Sequence, residues 1–225
     1  VSGAIGNSAI GNFVEFQFKP YSHDLLNRDK GYIPFSESGK FNTSLRYYED
    51  SKRFEVSKFS IIKLTSLAPY NSLTNSKSYG LDLGVESITV RKNKNEFDFD
   101  KLDFKRITPL NGDILIGYTF QSFLGSQNSP FILSLLAGGK AQIHPYFNDF
   151  IRIGPQAVFN VLWDLGRVKL HYLSTYQYYM VFRNQNDHSN SIRLRYSMEI
   201  DHEIRIELIR LRNDREIQIS YSFMF

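Results

Sequence analysis

"REIQISYSFMF", Arg215 to Phe225, closes the chain, and the reading of this stretch decides the fold. Ile217, Ile219, Tyr221, Phe223 and Phe225 fall on every second residue, with Gln218, Ser220, Ser222 and Met224 between them. Period-2 alternation is the mark of a strand with one apolar face. The last residues of a soluble domain are usually polar and frayed. Here the apolar face runs to the final residue, which requires the last strand to be paired and sheltered along its whole length.

The same alternation recurs upstream. "NFVEFQFKP" sets Val14, Phe16 and Phe18 against Glu15, Gln17 and Lys19, and "KFNTSLRYY" sets Phe41, Thr43, Leu45 and Tyr47 against Asn42, Ser44 and Arg46. "RFEVSKFSIIKLTSL" alternates less regularly; "SYGLDLGVESITV" sets Tyr79, Leu81, Leu83 and Val85 against Asp82 and Glu86. Further segments follow at "DILIGYTFQSF", "FILSLLAGGKAQI", "IRIGPQAVFNVLW", "RVKLHYLSTYQYYMV", "SIRLRYSMEI" and "HEIRIELIRL". About eleven segments of roughly ten residues fit period 2, and none fits the 3.6-residue helical template over a comparable length. Turn-rich stretches separate them, and two connections are long, 22–39 and 91–112. No internal repeat or low-complexity linker interrupts the pattern, so residues 1–225 read as a single domain.

Composition agrees. Aromatic residues make up 15% of the chain, 19 Phe and 14 Tyr against one Trp, which favours β-structure. The 27 basic and 23 acidic residues are interspersed, with no basic run of the kind that binds nucleic acid. Cysteine is absent, which removes disulfides, thiolate nucleophiles and zinc–thiolate sites. No stretch approaches the roughly 20 apolar residues of a spanning helix. The given residues include no signal-peptide pattern, and a start at "VSGAIGNS" is what a processed or trimmed chain is expected to show.

A soluble sandwich and an outer-membrane barrel both alternate, with opposite senses: the apolar face points inward in one and to lipid in the other. Segments of about ten residues match tilted membrane-spanning strands better than the five or six residues typical of globular sheets. Tight hand-overs such as "MEIDHEIR" add to that. The C-terminus, with its alternate apolar residues and terminal Phe, resembles those of bacterial outer-membrane proteins, where it is the signal read by the barrel assembly machinery. Ile217, Ile219, Tyr221, Phe223 and Phe225 are its candidate residues here. The expected fold is all-β: a closed antiparallel transmembrane β-barrel of the bacterial outer membrane, about 12 strands. With Phe225 at the periplasmic side, counting back places 91–112 outside the cell and 22–39 in the periplasm. Single-chain bacterial barrels have even strand numbers, so a twelfth strand is expected from "SGAIGNSAIG" or from chain upstream of it.

"EFQFKPYSHDLLNRDKGYIP", an "LRYYED" strand, "LTSLAPYNSLTNSKSYGLDLG" and "LAGGKAQI…IRIGPQAVFNVLW" together resemble the C-terminal barrel half of a bacterial family. Its members join a periplasmic papain-like cysteine hydrolase or acyltransferase-type domain to a membrane-bound half known only as a domain of unknown function. The resemblance covers roughly residues 12–180. The catalytic half needs a cysteine and this chain has none, so no catalysis carries over to these residues; such a domain is expected before Val1, or the chain is a barrel-only relative.

Catalysis within the barrel has one weak candidate. "NDHSNS" places His188 beside Ser189 and Asn190, which could meet only in a loop, because neighbours in a strand point to opposite faces. His171 falls on the polar face as an interior histidine, and His23 with Asp24 lacks a third metal partner. No catalytic residue, metal or other cofactor is expected. The polar face carries more: Glu15, Arg46, Asp82, Glu86, Arg193, Arg195, Glu199, Glu203, Arg205 and Glu207 form a candidate lumen network of both signs. Mixed charge in a narrow interior is expected to pair and fill it, since an unpaired buried charge is costly. Leu25, Leu26, Tyr32, Ile33 and Phe35 are apolar residues in an inner loop, expected either to dock a partner or to plug the barrel.

The functional expectation is a non-catalytic barrel that anchors or serves a periplasmic domain or membrane-protein partner in a bilayer of outer-membrane lipid and lipopolysaccharide. A small-solute channel and a lipid hydrolase are the alternatives.

Overall fold

The computed structural model describes residues 1–20, 22–27, 33–91, 104–123, 129–147, 149–180, 185–199, 201–211 and 214–223. The strands are β1 (Ser2–Ser8), β2 (Gly11–Phe18), β3 (Ser36–Tyr48), β4 (Arg53–Ser66), β5 (Ser78–Glu86), β6 (Ile88–Arg91), β7 (Phe104–Ile107), β8 (Leu110–Phe123), β9 (Pro130–Ile143), β10 (Ile151–Leu165), β11 (Val168–Tyr179), β12 (Gln185–Ser197), β13 (His202–Arg210) and β14 (Arg215–Phe223). All but β6 and β7 form a closed antiparallel barrel of twelve strands, each beside its sequence neighbour. β1 closes it against β14 with Ser2 opposite Ser222 and Ile5 opposite Ile219. The weak "SGAIGNS" stretch is therefore the twelfth strand. "SITV", read from sequence as the tail of one strand, leaves the barrel after Glu86 and begins the separate β6–β7 hairpin.

Val1 and Phe223 exchange backbone hydrogen bonds of 2.9 Å, so both described ends of the chain lie at one mouth, the terminal end. Strand alternation puts the β2–β3 and β4–β5 connections at this mouth. The β5–β8 connection, which carries the hairpin, is at the far end.

The barrel is inside-out relative to a soluble domain. Along β14, Ile217, Ile219, Tyr221 and Phe223 are exposed outward while Glu216, Gln218 and Ser220 are buried inward. Ile114, Ile116, Tyr118 and Phe120 on β8 and Ile204, Ile206 and Leu208 on β13 continue the outer apolar surface. So large an apolar exterior is a surface for lipid, not for water. The structure is a transmembrane β-barrel.

Two departures from simple alternation shape the interior. β4 slips register at Ser57 against β3 and at Ile61 against β5. Its inward set changes parity each time, from Glu55 and Ser57 to Lys58 and Ser60 and then to Lys63, as an extra residue in a strand requires. β3 makes a matching switch at Phe41, held at φ 53°. The second departure is a close approach of neighbouring backbone at Gly138 and Gly154. A Cβ there would lie 1.9 Å from the Ile114 carbonyl and 1.8 Å from that of Tyr178, so only glycine allows the neighbouring backbone so close.

Candidate functional site

The lumen is organised in three levels. At the terminal end residues 22–27 and 33–35 turn into the barrel. The His23 and Ser38 backbones exchange 2.8 Å hydrogen bonds, which tie the segment to the end of β3. Asp24 Oδ1 accepts from the Leu26 and Asn27 N–H groups at 2.9 and 3.1 Å and tightens the turn that follows. Leu25, Leu26 and Phe35 are thereby buried, with Leu67, against Ile132, Leu136, Val158 and Leu162, which point inward from β9 and β10. On the other side Arg205 of β13 donates to the Asp24 carboxylate and to Asn27 Oδ1, and Lys169 of β11 donates to the Asn27 carbonyl at 2.6 Å. Burial would raise the Asp24 carboxyl, but Arg205 and Lys19 beside it hold it well below the usual carboxylate range. The segment is a plug, apolar on one flank and charge-paired on the other.

Of the five apolar residues expected either to dock a partner or to plug the barrel, Leu25, Leu26 and Phe35 are turned into the barrel, the arrangement of the plugging alternative. Ile33 is exposed, and Tyr32 lies outside the described residues. Leu25, Leu26 and Phe35 are engaged in the barrel and offer no free surface.

The middle level is charged and loosely filled. Lys58 lies 3.6 Å from Asp82 and 3.8 Å from Glu86, Lys63 2.8 Å from Glu37, and Lys140 3.3 Å from Asp113. Arg193 pairs with Glu207, which also accepts from Gln218 at 3.0 Å. The Lys58, Glu86 and Arg193 side chains stay 34, 47 and 31% exposed although they face the interior.

The far level is dense in paired charge. Arg46 donates to Glu15 at 2.8 Å and to both carboxylate oxygens of Glu216 at 3.1 and 3.2 Å, with its guanidinium 3.8 Å from the Phe13 ring centre. Arg106, from the β6–β7 hairpin, reaches Glu55 on β4 at 2.7 Å and Glu216 on β14 at 3.4 Å. Nearby, Arg152 sits between the Phe147 and Tyr179 rings at 4.4 and 4.1 Å and pairs with Asp187 at 3.1 Å.

Most of the candidate network residues face the lumen as parity requires. Glu15 and Arg46 meet at the far level, Asp82, Glu86, Arg193 and Glu207 at the middle, and Glu203 and Arg205 beside the plug. Arg195 is fully buried and donates to Ser197 Oγ at 2.6 Å and to the Gly166 carbonyl at 3.2 Å. Glu199 is the exception: β12 ends at Ser197, and Glu199 sits exposed in the following turn, outside the lumen. Ile217, Ile219, Tyr221 and Phe223 form the outer face of β14; Phe225 lies outside the described residues.

Sequence parity missed Lys58, because a bulge re-aims it, and Arg106, because it lies in a connection. Glu216 was within reach, two residues before Gln218 on the quoted strand. The inner apolar patch also had a signal, since "FILSLL" is apolar on both parities, as a wall covered on both faces must be.

His188 and Ser189 lie inside β12, not in a loop, so they point to opposite faces. His188 Nε2 instead lies 3.3 Å from Ser174 Oγ on the exposed outer side, and Asn190 accepts from the Tyr172 hydroxyl at 2.9 Å. His171 is buried inward, its Nε2 3.0 Å from Asn160 Oδ1.

Twelve strands closed in sequence order, with an apolar exterior and a polar lumen, define a transmembrane β-barrel of the outer-membrane type. The likeness extends to solved structures. A KdgM porin in complex with disordered oligogalacturonate aligns over 100% of this chain and 99% of its own, with a TM-score of 0.51 and 10% identity. A second KdgM porin structure gives 0.49 and 11% over the same shares. OmpTdeltaL8, a loop L8 deletion mutant of the Vibrio cholerae outer membrane protein OmpT, gives 0.36 and 8% over 95% of this chain and 62% of its own. At such identities the likeness is one of fold. None of the curated proteins matches the sequence. Residues 1–225 match the family described as Domain of unknown function (DUF7840), and the chain belongs to that family.

Proposed function

We propose that this protein is a bacterial outer-membrane barrel that is closed at rest and acts as a non-catalytic membrane anchor or accessory subunit for a periplasmic domain or complex. The observation that carries this reading is the plug. Leu25, Leu26 and Phe35 sit in the lumen against Ile132, Leu136, Val158 and Leu162. An open aqueous pore has no use for an inward apolar patch, and a covalently attached loop that covers it favours a closed barrel. The terminal end would face the periplasm, so a domain attached ahead of Val1 would emerge there, as the resemblance to hydrolase-linked barrels implies.

Two measurements test this. Native protein in planar bilayers should show no steady conductance, and an antibody to the barrel should detect, in outer-membrane fractions, a polypeptide larger than the 26.2 kDa of this chain by at least one domain. Steady ohmic conductance would overturn the closed state; a barrel-sized polypeptide with no stable partner would overturn the anchor.

A second reading has its own support. The middle level keeps charged side chains exposed inside the wall, as a conduit for small solutes would, and the fold likeness to KdgM porin fits that role. On this reading the plug is a gate.

A further inference from the structure

The far-end closure differs in kind from the plug. β6 and β7 pair with each other, and among the described residues no ladder joins them to the barrel strands. Arg106 meets Glu55 on β4 and Glu216 on β14, strands separated along the wall by β3, β2 and β1, so its side chain lies across the lumen. Asp214 lies 3.9 Å from the same guanidinium and accepts from Thr89 Oγ1 at 2.6 Å. Ser87 and Thr108, at the base of the hairpin, share a 2.8 Å hydroxyl contact. Ile107 is the one buried apolar side chain of the hairpin among the described residues. Water and salt ions can take over the partners of these charged and hydroxyl groups, whereas nothing in water replaces the contacts of Leu25, Leu26 and Phe35.

We propose that the β6–β7 hairpin is the movable closure of this barrel: releasing Arg106 and Thr89 from Glu55, Asp214 and Glu216 opens the charged middle level to small polar solutes from the end opposite the termini. This rests on the reading of the barrel as closed at rest. The level it uncovers also sets the class of solute. Lys58, Lys63, Lys140 and Arg193 each stand beside a carboxylate of the wall, so a small zwitterion or uncharged polar molecule can exchange contacts without leaving a charge uncompensated. A polyanion would meet Asp82, Glu86, Asp113, Glu37 and Glu207.

The absence of cysteine from the chain makes a direct test possible. Lys58→Cys places a single thiol at the middle level, and its reaction with a small uncharged methanethiosulfonate is followed in nanodiscs. Arg106→Glu, which sets a carboxylate against three others, should raise the rate at least fivefold. The milder Thr89→Val should raise it in the same direction, with heat-modifiable gel mobility confirming that both variants stay folded. A rise below fivefold in Arg106→Glu overturns the hairpin as the closure. If the thiol under the native hairpin already reacts at the rate of a free cysteine, the closed-at-rest reading fails instead, so the two failures are distinguishable.

Discussion

Replacing Leu25, Leu26 and Phe35 together with Ser should undock the plug without dismantling the barrel, because none of the three belongs to a wall strand. They retain 7, 3 and 7% of their surface in the docked state. Fully burying such side chains is worth about 1.5–3 kcal/mol each, so the three hold the segment with roughly 5–9 kcal/mol. A released loop would still shelter part of that surface, which makes the figure an upper estimate. Even a loss of about 4 kcal/mol changes the undocked population by roughly a thousandfold. The bonds from Arg205 and Lys169 to Asp24 and Asn27 remain and keep the loop near the mouth. Two closures in series conduct only when both are open, so the assay is planar-bilayer conductance of four proteins: native, the triple Ser variant, Arg106→Glu, and the two combined. Native protein should be silent, each single-closure variant should give rare, brief openings, and the combination should conduct steadily. If the combined variant inserts and folds but stays silent, the lumen is obstructed elsewhere and the reasoning fails. If the triple variant alone conducts as fully as the combination, the hairpin is no closure.

Three further outcomes follow. Ile219→Arg, on the outer face, should destabilise the barrel by about 2–4 kcal/mol near the bilayer midplane, whereas Gln218→Arg, its inward neighbour beside Glu207, should cost under about 1 kcal/mol by urea titration in lipid; equal costs would contradict the inside-out assignment. Phe223→Ser with Phe225→Ser should abolish membrane assembly, read as loss of heat-modifiable mobility and of outer-membrane signal, and normal levels of both would sink the terminal-strand signal. Asp24 has its carboxyl depressed by Arg205 and Lys19, so its contribution to plug docking is present above the ordinary carboxylate pKa of about 3.9 and is lost as pH falls through the lower folded value. The difference in stability between native protein and Asp24→Asn should therefore be constant from pH 8 to about pH 5 and shrink only in stronger acid; a difference that vanished near pH 6 would show that Asp24 is not the ion-paired group.

What was legible in the sequence was whatever period 2 controls. The inward placement of Glu15, Arg46 and Glu207 and the outward placement of Ile217 to Phe223 follow from parity, because successive side chains must alternate across the wall; the twelfth strand came instead from the rule that single-chain barrels have even strand numbers. Parity fails wherever a strand gains a residue or the chain leaves the wall. The bulge that sends both Ser57 and Lys58 inward cannot be foreseen from "EVSKFS", since nothing local says which residue is extra. Arg106 was unreadable for a different reason. Its partners on β4 and β14 are neighbours only across the lumen, and closure of the barrel creates that proximity. Leu25, Leu26 and Phe35 announced that they needed shelter, yet the shelter itself, an inward patch on β9 and β10, is visible only when both parities of "FILSLL" and "AVFNVLW" are taken as covered.

That patch and the loop explain each other. Ile132, Leu136, Val158 and Leu162 point into the lumen, where without a cover they would be wetted, and the same is true of Leu25, Leu26 and Phe35 on a free loop. Neither set is favourable alone in water, and together they form the apolar core cluster found among the described residues. The far end solves the same problem of filling a lumen with arginines and carboxylates, whose contacts water can take over. The apolar contacts at the terminal end resist hydration, and the charged contacts at the far end do not. On the proposed reading, that asymmetry would give the barrel a direction, with opening past Arg106 and the apolar plug fixed at the end of Val1 and Phe223.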